Sequence, residues 1–473
     1  MNHDHDEGRI TNGEHESRGA HGSRGAQGTH GSHATHESHR SHGTATGARH
    51  EFDRRSVLLG GLGALGGLVV LGSRANAKVT MWGPTGELPG PAAGHTLVLL
   101  QLTGGNDALS MVVPYGDDAY NAARSSIRIG KDEVQKLDDY RGLHPNLKGL
   151  RALWDEGRVA IVEGCGYPNP IRSHFQSYEV WHTGSENGRL AGEGWIGRLC
   201  EVAWPEDRSP ELVVHVGGTA PFSVFSTKHP PLAFQTPATY RWAGNETEDL
   251  MAYRRAAEDD MRTLDARRGE AGKGESGQDK MLRKLRGILD EANESSAKIR
   301  RANALYEPKA KYPEDDLGEG LKIAATLVDA RLGARVVSVE LGGFDTHQNQ
   351  RTSHDTLMRR LDEGLKAFFE DLKGRSAGDR IVVMVFSEFG RRVKENGSRG
   401  TDHGVAAPML VIGSPVKGGL YGKHPSLTDL DDGDLRFTTD FRSVYGTVID
   451  RWFASDHTKV LGAKYPTLEF LPA

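Results

Sequence analysis

Residues 335–390 read RVVSVELGGFDTHQNQRTSHDTLMRRLDEGLKAFFEDLKGRSAGDRIVVMVFSEFG. The first apolar run breaks on Gly342-Gly343 into a polar loop, Phe344-Asp345-Thr346-His347. A helical stretch follows at 354–373, with Leu357, Leu361, Leu365, Phe368 and Leu372 at three- and four-residue spacing, which puts them on one face. A second apolar run, 381–386, again breaks into polar residues, Ser387-Glu388-Phe389-Gly390-Arg391. Strands without alternation are buried on both faces. Alternated with amphipathic helices, they build a mostly parallel sheet covered on both sides.

The same grammar extends outward in both directions. HTLVLLQLTGGND (95–107) predicts a strand over Leu97–Leu102, and PNLKGLRALWDEGR (145–158) a helix with Leu147, Leu150 and Leu153 on one face. VAIVEGCG (159–166) and ELVVHVGG (211–218) are further strands, and a last one covers Ala407–Ile412. SHFQSYEVWHTG (173–184) predicts a helix closed by Gly184, and 317–333 a helix ending at Gly333. Residues 244–316 are charged, helical in pattern and poor in β-formers, and are expected to form a helical insertion. The expected architecture is one α/β domain over 95–473, a three-layer α/β/α sandwich around a mostly parallel sheet.

The N-terminal part differs. Residues 1–50 hold ten of the 21 histidines among Gly, Ser, Glu, Arg and Thr, with almost no apolar surface to bury, so an unfolded His-rich extension is expected. Its imidazoles could bind zinc, nickel or copper, but their spacing is irregular. Arg54-Arg55 precede an apolar, Gly-rich run from Val57 to Gly72 and a small-x-small site, Ala75-Asn76-Ala77. This is the order of a twin-arginine signal peptide over 51–77. A retained anchor is the alternative. A Gly- and Pro-rich linker, 78–94, follows. The chain is therefore expected in the periplasm or outside the cell, after passage through the twin-arginine translocase, and tethered to the membrane if the signal stays uncleaved.

The net charge of −5 gives no reason to expect nucleic acid as a partner. Two cysteines, Cys165 and Cys200, cannot make a disulfide scaffold; one bridge or two buried thiols are both open. No GxSxG elbow, no GxGxxG after the first strand and no Walker A loop is present.

In such sheets ligands bind beyond the carboxyl ends of the strands. Five polar motifs fall there: Gly104-Gly105-Asn106-Asp107, Arg172-Ser173-His174, Gly342 to His347, Ser387 to Arg391, and Gly400-Thr401-Asp402-His403-Gly404. Carboxylates and imidazoles gathered at one rim repel or desolvate one another unless a cation or substrate offsets the cost. The oxygen and nitrogen donors suit zinc, manganese, calcium or magnesium. A polar network that only fastens loops would use the same residues. Ser173, ahead of a helix, is the nucleophile candidate or simply an N-cap. His174 could act as general acid or base or orient Ser173, and Arg172 or Arg391 could clamp an anion.

LQLTGGNDALSMVVPYGD (100–117), GLHPNLKGLRALWDEGRVAIVEGCGYPNPIRSHFQSYEVWHTG (142–184), LGGFDTHQNQ (341–350), FSEFGRRVKENGSRGTDHGVAAPMLVIG (386–413) and TTDFRSVYGTVIDRW (438–452) strongly resemble the exported bacterial family called domain of unknown function 1501. That family is similar to the alkaline phosphatase and sulfatase superfamily. The resemblance implies an alkaline-phosphatase-like fold, one or two divalent metals at the strand ends, and hydrolysis of phosphate or sulfate esters. It implies Asp107 or Asn106, Asp345, His347, Glu388 and His403 as metal residues and Ser173 as nucleophile; Asp402, next to His403, is a further metal candidate read from the rim motif itself, as His174 and Arg172 are candidates beside Ser173. Two departures stand out. Asp345 and His347 are two apart where the superfamily has four, and Glu388-Phe389 replaces Asp-His, which would leave one metal site incomplete. Cys165-Gly166-Tyr167-Pro168 does not match a sulfatase Cys-x-Pro-x-Arg, which argues against formylglycine chemistry. The expected activity is metal-dependent hydrolysis of an anionic phosphate or sulfate ester, small or polymeric. The alternatives are a non-catalytic metal-binding or structural protein of the cell envelope and a factor that processes carbohydrate or sulfated polymer. The oligomeric state and the substrate do not follow from the sequence.

Overall fold

The computed structural model describes residues 94–185, 192–240, 262 and 277–472. The His-rich extension, the signal peptide, nearly all of the linker and most of 244–276 lie outside the described residues. Among the described residues no helix is long and apolar enough to cross a membrane.

Among the described residues the central sheet has nine strands: β1 (Thr96–Thr103), β2 (Val159–Gly166), β3 (Val213–Val216), β4 (Leu232–Phe234), β5 (Val336–Gly342), β6 (Ile381–Phe386), β7 (Ala407–Ile412), β8 (Gly419–Tyr421) and β9 (Thr439–Asp440). Their order is β8-β2-β7-β6-β1-β5-β3-β4, with β9 also on β2. Every pairing is parallel except the two made by β7, which runs antiparallel to both β2 and β6. The reversal puts the N-terminal end of β7 at the edge where the parallel strands have their C-terminal ends. Residues 400–404 therefore reach the same rim as the loops that follow β1, β5 and β6.

Side chains alternate across β1, as a strand buried on both faces requires. Val98, Leu100 and Leu102 enter one core, with Leu150 of α1 (Lys148–Asp155), Leu317 and Leu321 of α5 (Asp316–Asp329), and Leu357, Leu361 and Phe368 of α6 (Gln350–Leu372). Leu97 and Leu99 enter the other, with Trp181 of α2 (His174–Thr183), Trp195 and Leu199 of α3 (Trp195–Ala203), and Phe441 and Val444 of α7 (Phe441–Thr447). This is the three-layer α/β/α arrangement that the alternating pattern predicts.

Strands β2 and β7 span the residues their apolar runs mark, and Gly184 closes α2 at φ +63°, a left-handed conformation that glycine adopts at no steric cost. Several boundaries differ; α1 covers only Lys148–Asp155 of 145–158, and β1 is a residue longer at each end. Helix α6 begins at Gln350 rather than near 354, α5 ends at Asp329 rather than at Gly333, and β3 is confined to Val213–Val216. In α5 the backbone N–H of Ala330 already closes on Thr326, and Gly333 (φ +90°) belongs to the turn beyond. Within the charged insertion, α4 spans Gly277–Leu305. Cys165 and Cys200 are both buried free thiols, so the bridge does not form.

Candidate metal centre at the strand ends

Three imidazoles meet at one carboxylate on this rim. Asp345 follows β5, His347 lies two residues on, His403 precedes β7, and His174 opens α2. Asp345 Oδ1 lies 3.0 Å from His347 Nε2 and 3.1 Å from His403 Nε2. The two Nε2 atoms are 3.0 Å from each other. His174 Nε2 lies 3.7 Å from Asp345 Oδ2. One ligand atom from each of His174, Asp345 and His403 fits within 4.8 Å of the others.

The far side of each ring is occupied. His174 Nδ1 is 2.8 Å from Glu388 Oε1, His347 Nδ1 is 3.3 Å from Asp402 Oδ1, and His403 Nδ1 is 2.8 Å from the carbonyl oxygen of Arg172. An acceptor at Nδ1 can hold the proton there and spare Nε2 for a cation, which would replace the Nε2 contacts of His347 and His403 with Asp345. Outer partners orient metal-ligating histidines in this way. Donor atoms around a tetrahedral zinc ion sit about 3.3 Å apart, given bonds of about 2.0–2.1 Å. The 3.0–3.1 Å separations are on that scale, so these residues fit a small divalent cation.

Buried charge backs the cluster. Glu388 is fully buried, and its Oε1 also accepts from the Gly104 N–H at 2.9 Å while Ser387 Oγ donates to Oε2 at 3.0 Å. Burial pushes the Glu388 carboxyl up, but His174 and the Gly104 amide outweigh it and hold it below its usual range. The bond to Glu388 in turn raises the His174 imidazole. Asp345, half exposed, is held down to about 2: burial opposes ionisation, and hydrogen bonds from Arg391 and His403 overcome it.

Arg391 is fully buried. Its Nε donates to Gly105 O at 2.7 Å and its Nη1 to Thr401 O at 2.9 Å. Nη2 reaches Gly104 O, Phe344 O at 3.0 Å and Asp345 Oδ1 at 2.6 Å. One guanidinium thus ties the loops after β1 and β5 to the loop before β7. Gly104 sits at φ +115°, and a Cβ there would lie 2.5 Å from the Asp345 nitrogen, so only glycine lets these loops touch.

The structure revises several expected roles. Arg391 is saturated by the protein and cannot clamp a substrate anion. Arg172 turns its side chain onto Asp434 (Nε–Oδ2 2.6 Å) and Asp432 (Nη1–Oδ2 3.2 Å) and serves His403 through its carbonyl instead. Glu388 stands behind His174, which takes its place facing Asp345. Asp107 is fully buried against Arg124 (Oδ1–Nη2 2.8 Å) and accepts from Ser110 Oγ at 2.5 Å and Gln350 Nε2 at 2.6 Å, leaving no oxygen for a metal. Asn106 Oδ1 is engaged by His354 Nε2 at 2.9 Å. Asp402 orients His347. Ser173 is the N-cap residue of α2, yet its side chain makes no capping bond. Sequence reasoning missed Asp434 and Arg124. For Asp434 a signal existed: Leu430-Asp431-Asp432-Gly433-Asp434-Leu435 carries the Asp-Gly pair of a two-residue hairpin.

The model of a family described as a protein of unknown function (DUF1501) matches residues 160–462, more than half of the chain, and the chain belongs to that family. No curated protein matches it. Solved structures that resemble it include Ps i-CgsB in complex with k-i-k-neocarrahexaose, at 11% identity and TM-score 0.37, covering 78% of this chain and 73% of that one. A protein in the alkaline phosphatase superfamily from Vibrio parahaemolyticus matches at 10% identity and TM-score 0.28, covering 70% and 64%. The 2-O GAG sulfatase BT1596 matches at 9% and 0.26, covering 70% and 66%. At these TM-scores no activity passes from those proteins to this chain.

Proposed function

We propose that the chain is a metal-dependent hydrolase of phosphate or sulfate esters that works outside the cytoplasm. One observation carries the reading: three imidazoles, each with Nδ1 occupied by an acceptor, turn Nε2 toward the carboxylate of Asp345. His174, Asp345, His347 and His403 would hold a divalent ion. When bound, such an ion supplies a Lewis acid that polarises the ester and acidifies the attacking oxygen. Ser173, next in sequence to His174, offers its hydroxyl as nucleophile, and the first-turn amides of α2 offer donors to the anionic group. Attack by Ser173 Oγ would release the alcohol and leave a seryl ester for water to cleave. Export rests on Arg54-Arg55 and the apolar run behind them.

A metal-binding protein without turnover is the second reading. The observation that favours it is that both candidate anion clamps, Arg172 and Arg391, are taken up by protein acceptors. Metal analysis of the purified mature chain, with hydrolysis of aryl phosphate and aryl sulfate esters, separates the two. Stoichiometric metal and turnover abolished in Ser173→Ala support the hydrolase. Metal without turnover supports the second reading, and a chain that takes up no metal sinks both.

A further inference from the structure

We propose that Asp434, which touches none of the four candidate ligands, is the positioning residue that fixes His403 and its loop; as a statement about metal binding this rests on the reading above. The residue is delivered by a hairpin. Asp432 (φ +50°) and Gly433 (φ +81°) form the two-residue turn between paired strands in which Asp431 faces Asp434. Both left-handed residues match the turn type that Asp-Gly favours. The turn leaves Asp432 largely exposed and its neighbour Asp434 wholly buried.

Two arginines grip the buried carboxylate, and each leads to the site. Arg172 Nε donates to Asp434 Oδ2 at 2.6 Å, and Nη2 reaches the same oxygen. The Arg172 carbonyl is the acceptor on His403 Nδ1, at 2.8 Å. Arg392 Nε lies 3.7 Å from Asp434 Oδ1, and the Arg392 backbone N–H donates to the Asp402 carbonyl at 3.0 Å. Asp402 in turn stands 3.3 Å behind His347. A single desolvated carboxylate therefore holds both chain segments that flank His403. Removing it leaves the two guanidinium groups only the exposed Asp432 as counter-charge, and the Arg172 carbonyl loses the buried anchor that aims it.

The test uses the full mature chain. Zinc affinity is measured by chelator competition, and the His403 tautomer by nitrogen-15 imidazole spectroscopy, its signal identified by its loss in His403→Gln. Wild type is expected to show His403 protonated at Nδ1. Asp434→Asn is expected to average the tautomer and weaken zinc about tenfold, the lower range for groups behind a ligand. Asp432→Asn, which disturbs an exposed partner of the same arginines, is expected to change zinc affinity less than about twofold. Should Asp434→Asn fail to fold, Arg172→Gln keeps the carbonyl, drops the anchor and must give the same tautomer change. An unchanged His403 signal in the variant that folds overturns the proposal. A wild type that binds no zinc but loses its fixed tautomer in Asp434→Asn sinks the metal reading and upholds the positioning role.

Discussion

Asp107 and Asp345 are both loop carboxylates at the same rim, and both are held down to about 2, yet they do opposite work. Asp107 is sealed: its partners are Arg124, Ser110 and Gln350, and both it and Arg124 are fully buried. Asp345 is half exposed and shares its oxygens among Arg391 and three imidazoles. A low carboxyl pKa therefore does not mark a functional group. What separates the two is whether the stabilising charges also leave room and lone pairs for something that arrives from outside.

The sharpest way to break this contrast is Asp107→Ala. It strands a buried guanidinium and is expected to cost roughly 3–5 kcal/mol in denaturant unfolding, with zinc affinity unchanged. Asp345→Asn should do the reverse. Zinc affinity falls by at least roughly 100-fold in chelator competition, beyond the range for groups that stand behind a ligand, while the loss of stability is smaller than in Asp107→Ala, because Arg391 keeps four backbone carbonyl acceptors. Equal loss of stability and zinc affinity in both variants would erase the distinction.

Acid sharpens it further. The Asp107 carboxyl lies below its ordinary 3.8, so its stabilising effect is whole above that pH and is lost as pH falls through about 2. The difference corresponds to about 2 kcal/mol. Stability of wild type should fall over that window by one proton more than that of Asp107→Asn, measured by unfolding at successive pH values. The smallest effect is expected from Glu388→Gln, which keeps shape but weakens the hold on His174: about tenfold in zinc affinity, with the visible spectrum of the cobalt-loaded protein shifted.

Much of the scaffold was legible in the sequence. Buried strands announce themselves as apolar runs, and their ends as glycines, so the rim and its five motifs could be placed from residues alone. The two-residue spacing of Asp345 and His347, which suggests an incomplete site, still lets both reach one point because they lie on a loop rather than a helix. The division of labour at the rim was not legible. Asp107 looks like a ligand until Arg124, and Gln350 from α6, are seen against it. Glu388 looks like one until His174, on another helix, takes its oxygen. Such roles depend on partners that only the folded chain brings near. The helix ends shifted for a local reason, since capping hydrogen bonds rather than glycine positions close α5.

The reversed strand β7 has a consequence for how the rim is assembled. Because β6 and β7 are antiparallel neighbours, Leu410 facing Val385, the chain between them leaves the sheet and returns to it at one edge. Glu388, Arg391, Asp402 and His403 all ride on that single excursion, whose closure costs less chain entropy than the longer connections bringing in His174 or Asp345, by about 0.6 kcal/mol per doubling of length. This half of the rim is thus a short-range unit set by two adjacent strands, whereas His174 and Asp345 reach it through contacts distant in sequence.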